Sequence, residues 1–400
     1  MPVAYVGIDV SKAKLDAAIQ IGTHPDKKSR HKIFSNCEAA IPAVVAWACG
    51  HAKCQPAELR VTMEATGVYY VTAAYGFNRA GCEVVVSNPW RSRNYAVGIG
   101  SVNKTDKCDA EALAAFGTQE QLRLWEPRPP EIVELQWILQ RINRFTMDMV
   151  RETLRNENYQ IGLATETVVQ SINRVRAFQK SERSLLLQEL EALFARQPTL
   201  SADRDLLMTI PSIGPIVASY LLCLLRGRNF PTARDAAAVA GLVPKQAASG
   251  TSTGLRPRVA KAGNRALRAM LYMSTMSMLK TPNARAFYER VRGNGARPMQ
   301  ARVALMRRTV QIAFGVLKHA RPYREDWEDC RRAEAAGLSR DKTSDSRSNA
   351  PAEIEAMAEV RRTPSSVIWT KRSGGVPTLV KKAKVARKRK LRSIQDYESI

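Results

Sequence analysis

The sequence predicts an α/β domain at its N-terminal end followed by a largely α-helical remainder. Over residues 1–127, short apolar runs rich in β-branched residues alternate with segments of helical periodicity. After Pro127-Arg128-Pro129-Pro130 the apolar positions recur in steps of three and four over long stretches, the period of packed helices. Past residue 320 that periodicity fades while Ser, Lys and Arg accumulate.

Residues 3–10, 15–21 and 31–35 read as three strands joined by short turns. A helix is expected over 38–49, a strand over 59–63, and a helix over 68–79. Residues 82–87 form a β-branched strand that Asn88-Pro89 terminates. Asp106 to Gly117 has the pattern of a further helix. A three-strand meander followed by alternating helix and strand is the order of a ribonuclease-H-like domain. Two long helices follow. Ile132, Leu135, Leu139, Ile142, Thr146 and Met149 make a heptad-like seam on the first. The second covers roughly 168–195, with Leu186, Leu190 and Leu193 as core candidates. Joined near 156–165, they make an antiparallel hairpin or a dimer-forming coiled coil. Arg141, Arg144, Arg151 and Arg155 share a polar stripe that is either a solvated face or a nucleic-acid contact. Residues 201–320 are helical and compact. The boundaries expected are therefore 1–127, 128–200, 201–320 and a basic, disordered tail over 321–400.

The chain has 400 residues and a formal net charge of +25, which favours a polyanionic partner, nucleic acid before membrane. No apolar run approaches the roughly 20 residues of a membrane span, and Met1-Pro2-Val3-Ala4 does not resemble a signal peptide. Seven cysteines are scattered without a Cys-x-x-Cys, as expected for reduced thiols in the cytosol. Four scattered histidines disfavour a His-based metal site.

Against this basic background, four carboxylates stand out. Asp9 ends the apolar run from Val3 to Ile8, Glu64 ends the run from Leu59 to Met63, and Asp106 and Asp109 lie three apart at a helix start. A carboxylate at a buried strand end is costly unless paired, and Mg²⁺ is a natural partner. Clustered acids can hold two ions roughly 4 Å apart for phosphoryl transfer. The alternative is that Asp106 merely caps its helix and the others coincide by chance. Asp16, Glu58 and Glu111 read as ordinary surface acids. Lys104 and Lys107 flank the pair and suit contact with phosphates.

Two further motifs lie in the helical part. Ile210-Pro211-Ser212-Ile213-Gly214-Pro215 resembles the turn of a helix-hairpin-helix, in which backbone N–H groups near Gly214 grip a phosphate without reading sequence. A plain helix–helix turn is the alternative. From Gly241 to Arg268, a polar loop of small residues separates two helical segments, with Arg256, Arg258, Lys261, Arg265 and Arg268 crowding its far side. Lys261, Arg265 and Arg268 share a helix face if the helix begins before Gly263. Residue types alone do not select a nucleophile among Ser249, Thr251 and Ser252.

Taken together, the segments 6–12, 64–67, 103–110, 210–215 and 241–268 resemble one family, the DEDD insertion-sequence transposases of the IS-one-ten type. The resemblance runs in the correct order over about residues 3–320. It implies a RuvC-like DEDD nuclease domain, a coiled-coil linker, a C-terminal transposase domain, and Mg²⁺ bound by Asp9, Glu64, Asp106 and Asp109. It further implies that Ser249, the serine before Gly250, links covalently to DNA. The partners implied are donor and target DNA and a structured, element-encoded guide RNA, with the protein working as a homodimer or homotetramer in the bacterial cytoplasm, near the nucleoid. The long basic tail is not explained by the likeness. Rival readings are a metal-only nuclease resembling a Holliday-junction resolvase, with Ser249 merely binding, and a non-enzymatic nucleic-acid scaffold whose acids are structural.

Overall fold

The computed structural model describes residues 2–23, 30–101, 105–162, 164–249, 253–259 and 263–324; the side chains of residue 160 and of 245–258 lie outside that description. Lys104, Lys261 and the basic tail from residue 325 onward, including its Lys- and Arg-rich end, also lie outside the described residues.

Strands β1 (Ala4–Val10), β2 (Lys14–Ile21) and β3 (Arg30–Ser35) form an antiparallel meander. Helix α1 (Ile41–Ala52) returns the chain to β4 (Leu59–Glu64), which lies parallel to β1. Helix α2 (Tyr70–Arg79) leads to β5 (Glu83–Ser87), parallel to β4. The sheet order is β3-β2-β1-β4-β5, a five-stranded mixed sheet consistent with the ribonuclease-H-like order expected. Period-two alternation divides the faces. Val6 and Ile8 of β1, with Leu15 and Ala17 of β2, join Val44, Ala73 and Phe77 of α1 and α2 in one apolar cluster. Tyr5, Gly7 and Asp9 point to the opposite face.

That opposite face is covered by α4 (Asp106–Gly117). Contact is so close that a Cβ at Gly7 would stand 1.9 Å from the Ala110 carbonyl oxygen and 2.3 Å from the Ala114 nitrogen. At the far end of the helix, a Cβ at Gly117 would stand 2.6 Å from Thr62 Oγ1 of β4. Small residues at these points let the helix lie directly on the sheet. Helix α3 (Pro89–Gly98) was not expected: the sequence reading ended at Asn88-Pro89 as a turn. Asn88 instead caps the helix, its side chain accepting from the Trp90 N–H, with Pro89 in the first turn.

Helices α5 (Pro130–Ile161) and α6 (Glu166–Arg196) pack as an antiparallel hairpin. Its connection is 162–165, shorter than the 156–165 expected. Near the open end, Ile132, Leu135, Leu139 and Ile142 are buried with Leu190, Leu193 and Phe194. Farther along, Thr146 and Met149 are only partly buried. The arginine stripe is mostly engaged on the helix itself: Arg144 and Arg151 pair with Asp148, Arg155 with Glu152, and Arg141 lies over the Phe145 ring. That pattern favours the solvated face.

The open end of the hairpin enters a helical core. Helices α7 (Pro198–Met208), α8 (Pro215–Leu225), α9 (Ala233–Val239), α10 (Arg265–Met278), α11 (Pro282–Gly293) and α12 (Pro298–His319) surround Leu207, Leu221, Leu271 and Val310. Proline opens α5, α7, α8, α11 and α12, where its missing N–H costs no intrahelical bond. Where a loop was expected, β6 (Pro244–Ser249) pairs with β7 (Thr253–Val259) as a two-stranded antiparallel hairpin. Nor does α10 begin before Gly263. Gly263 takes φ +78°, with Val239 O so close that a Cβ would stand 2.0 Å away, and the Asn264 side chain caps the helix by accepting from Ala266 and Leu267. Of the three residues expected to share a face, Arg265 and Arg268 lie on α10, and Lys261 is outside the described residues. Among the described residues, no helix is long and apolar enough to cross a membrane.

Gly7→Ala should be among the most damaging single-methyl additions, because the added carbon would clash with helix backbone, which cannot swing aside. We expect a destabilisation of about 3 kcal/mol or more, read as a lowered thermal midpoint, whereas Gly50→Ala on the open surface of α1 should be far milder.

Candidate active site

The face that receives α4 also gathers the acids. Asp9 lies two residues beyond Gly7 and so shares its side of the sheet; Glu64 lies two beyond Thr62, which touches the same helix. Asp106 and Asp109 occupy the first turn of α4, just before the Ala110 that meets Gly7. Thr105, not Asp106, caps α4, its hydroxyl oxygen accepting the Cys108 N–H at 3.2 Å. Simple capping therefore does not account for Asp106.

Asp9 is partly buried, and its pKa is pushed up to about 6, first by desolvation and then by the charges of Asp106, Asp109, Asp16 and Glu64. The five carboxylates thus share one electrostatic field. Lys14 answers part of it: its Nζ lies 2.6 Å from Asp106 Oδ2 and 3.1 Å from Asp16 Oδ2. The hydrogen bond from Lys14, and then its charge, hold Asp106 below the usual carboxylate range. Glu64 accepts from Ser92 Oγ at 2.6 Å and from Thr66 Oγ1 at 3.4 Å. Among the described residues, no three His, Cys, Asp or Glu side chains are gathered closely enough to hold a metal ion as they stand.

Asp16 is a correction to the sequence reading. It is no surface acid but is 3% exposed, directly opposite Asp9 in the β1–β2 register, with His31 Nε2 3.0 Å from its Oδ1. Alternation within Leu15-Asp16-Ala17 reads as an outward-facing acid; Asp16 is buried because the face opposite Leu15 and Ala17 is covered by α4. Ser92 was missed because α3 was missed, although Asn88-Pro89 has the form of a helix start. Glu58 caps a short 3₁₀ turn by accepting the Gln55 N–H, and Glu111 lies 3.9 Å from Lys107.

The remaining sites are spread through the helical part. Ser249 ends β6, its backbone in register with Thr253. Arg256 and Arg258 lie on β7. Arg265 is exposed at the start of α10, while Arg268 is half-buried and donates to the Ala240 carbonyl at 3.4 Å. Gly214 is the N-cap of α8 with φ −92°, so the left-handed residue of the turn is Ser212, at φ +65°. A Cβ at Gly214 would meet nothing within 4 Å.

Two family models match this chain. One, described as a transposase of the DEDD type, covers residues 6–168; the other, described as the transposase IS116/IS110/IS902 family, covers residues 204–289. The chain belongs to the IS110-type DEDD transposases. It is 28% identical over 326 residues to the pilin gene-inverting protein of Moraxella lacunata, covering 81% of this chain and 98% of that one. The pilin gene-inverting protein of Moraxella bovis is likewise 28% identical, over 331 residues. The transposase for insertion sequence element IS1328 of Yersinia enterocolitica is 26% identical over 195 residues, 42% of this chain and 57% of that one. This transposase is accordingly a DNA-recombining enzyme with DNA as substrate. DEDD transposases generally depend on a divalent metal.

The raised pKa of Asp9 has a stability consequence. Between pH 4 and 6 Asp9 binds more protons in the folded metal-free protein than in the unfolded chain, so its own contribution to stability falls as pH rises through that window. Asp9→Asn should stabilise the metal-free transposase at pH 7.5 by on the order of 1 kcal/mol, a figure discounted for partial exposure. It should also flatten the dependence of the thermal midpoint on pH between 4 and 6. A midpoint lower than wild type at pH 7.5 would contradict the crowding.

Proposed function

We propose that this transposase cleaves and exchanges DNA strands in a Mg²⁺-dependent reaction that uses Ser249 as nucleophile and an element-encoded RNA as guide. The observation that carries the metal-dependent part is the convergence of Asp9, Glu64, Asp106 and Asp109 on the α4 face of the sheet, with Asp9 raised to about 6. Such a field is relieved either by protonation or by a cation, and Lys14 already supplies one positive charge to its edge. The donor set is all oxygen, which suits a hard divalent cation. The four acids fit that group by charge and chemistry, though as they stand no three of them are close enough to share an ion. Bound there, a divalent cation would lower the pKa of a nucleophile and neutralise charge developing on the phosphorus.

The chain's own part is to orient and to attack. Ser92 and Thr66 fix the Glu64 carboxylate by hydrogen bonds, leaving its orientation independent of substrate. Ser249 Oγ forms a bond to phosphorus as the bond from phosphorus to the leaving strand oxygen breaks, and the serine proton ends on that oxygen. The protein–DNA ester conserves the phosphodiester's energy, so a second strand hydroxyl reverses the step and frees Ser249. Ser249 ends β6 and precedes Gly250 in the sequence, the position the family resemblance assigns to the nucleophile. The net charge of +25 supports engagement of RNA as well as DNA. The division of the chain into a nuclease domain, a hairpin linker and a C-terminal transposase domain belongs to the same reading, as does assembly into a dimer or tetramer.

Labelled, nicked target DNA run on a denaturing gel tests this directly. Wild type with Mg²⁺ should yield a protein-linked strand that maps by mass spectrometry to Ser249. Ser249→Ala should lose both the adduct and cleavage, while Ser252→Ala keeps both. Asp9→Asn should lose cleavage by at least a hundredfold yet bind nucleic acid normally. Cleavage without any protein-linked strand would instead support the metal-only nuclease.

A further inference from the structure

A cavity of about 660 Å³ lies where the end of β5 and the start of α3 meet residues 122–129 and the 225–229 turn that follows α8. Five arginines line it, Arg91, Arg123, Arg128, Arg226 and Arg228, against a single carboxylate, Glu126. Arg226 is neutralised by Asp203, through bonds of 2.6 and 2.8 Å. The other four have no carboxylate partner among the described residues. Arg91 lies over the Phe116 ring, Arg123 donates to the Asn229 carbonyl, and Arg128 donates to the Gln136 side chain. Loss of hydration, and next the like charges of Arg123 and Arg128, lower the pKa of Arg228 from its ordinary value.

Arg91, Arg123, Arg128 and Arg228 are exposed, so water screens their mutual repulsion, and a phosphate entering the space would exchange that water for several N–H donors at once. Arg60, Arg196 and Arg204 each have a glutamate partner, which these four lack among the described residues. Guanidinium forks match phosphate oxygens by paired N–H donors. The volume exceeds what a single small anion fills and lies in the range of ligand cavities, roughly 300–1,000 Å³. Ser87 lines the wall and stands in register with Glu64, so the cavity adjoins the acids along β4 and β5.

We propose that this cavity is a phosphodiester clamp, in which Arg91, Arg123, Arg128 and Arg228 hold the backbone of a nucleic-acid strand beside the candidate active site. The proposal rests on the reading of the chain as a nucleic-acid enzyme but on none of its catalytic residues. The clamp is independent of base sequence, since guanidinium-to-phosphate contacts carry none. The strand held is DNA or RNA, which share the chemistry.

Binding is measured in EDTA, so that cleavage plays no part, with duplex DNA, single-stranded DNA and single-stranded RNA across a salt series. Arg228→Gln and Arg91→Gln/Arg228→Gln should weaken binding to the clamped strand. The slope of log affinity against log salt should fall by about 0.9 per lost contact on a duplex and about 0.7 on a single strand. Arg79→Gln, which removes a charge paired with Glu38, should leave the slope unchanged. The nucleic acid whose slope falls identifies the source of the phosphate. Glu126→Gln should tighten binding to that same nucleic acid, a gain that structural damage would not produce. Slopes equal to wild type on all three nucleic acids in folded variants would overturn the clamp. So would a loss matched by Arg79→Gln, or no tightening in Glu126→Gln. A failed clamp leaves the Ser249 adduct untouched, and a missing adduct leaves these slopes untouched.

Discussion

Backbone-to-backbone contact between α4 and β1 at Gly7 is the constraint on which the rest of the N-terminal half turns. A helix lying this close to a sheet admits no side chain between them, so Gly7 and Gly117 mark the two ends of the contact. Once α4 is held there, its first turn can lie only over the ends of β1 and β4. The carboxylates of Asp106 and Asp109 then enter the field of Asp9, Asp16 and Glu64, residues distant in sequence. Packing density, not attraction among the acids, brings these groups together; their mutual repulsion opposes it, and the buried apolar surface of the sheet and its helices offsets that cost.

The crowded acids explain several polar features around them. Lys14 reaches from β2 to Asp106 and Asp16, His31 from β3 to Asp16, and Ser92 from α3 to Glu64. Each either adds positive charge or donates a hydrogen bond to an oxygen that would otherwise face only other oxygens. Within a chain of net charge +25, this is a local inversion of sign. A basic surface draws in a polyanion, while an acidic recess repels one, which is the charge problem the proposed divalent cation would relieve. The arginine-lined cavity beside β5 is the counterpart, a region suited to an anion.

The long hairpin has a different character along its length. Where α5 and α6 enter the helical core, Tyr220 donates through its hydroxyl to the Leu139 carbonyl, and the apolar seam is closed. Toward the 162–165 connection, Leu154, Ile161 and Phe178 are exposed. The apolar periodicity of the sequence thus continues beyond the part of the hairpin that one chain buries.

Local signals were enough for much of this protein. Strand alternation, the apolar period of α5 and α6, and the strand-end positions of Asp9 and Glu64 all follow from side chains acting over a few residues, where backbone geometry dictates which positions share a face. The element order expected, a three-strand meander followed by alternating helix and strand, also appears along the chain. What escaped depended on partners far along the chain. Asp16 looked like a surface acid until the β1–β2 register set it against Asp9, and α3 was hidden by a proline that starts a helix as readily as it ends a strand. The β6–β7 hairpin carries small and polar residues whose propensity favours a loop, so only pairing between the two segments makes them strands. The arginine cavity is the clearest case: Arg91, Arg128 and Arg228 belong to separate stretches, each unremarkable alone. The sequence by itself determined which elements form and which faces are apolar, because those follow from local backbone period. Only the tertiary structure decided which charges stand together, because electrostatic fields act through space and take no account of order along the chain.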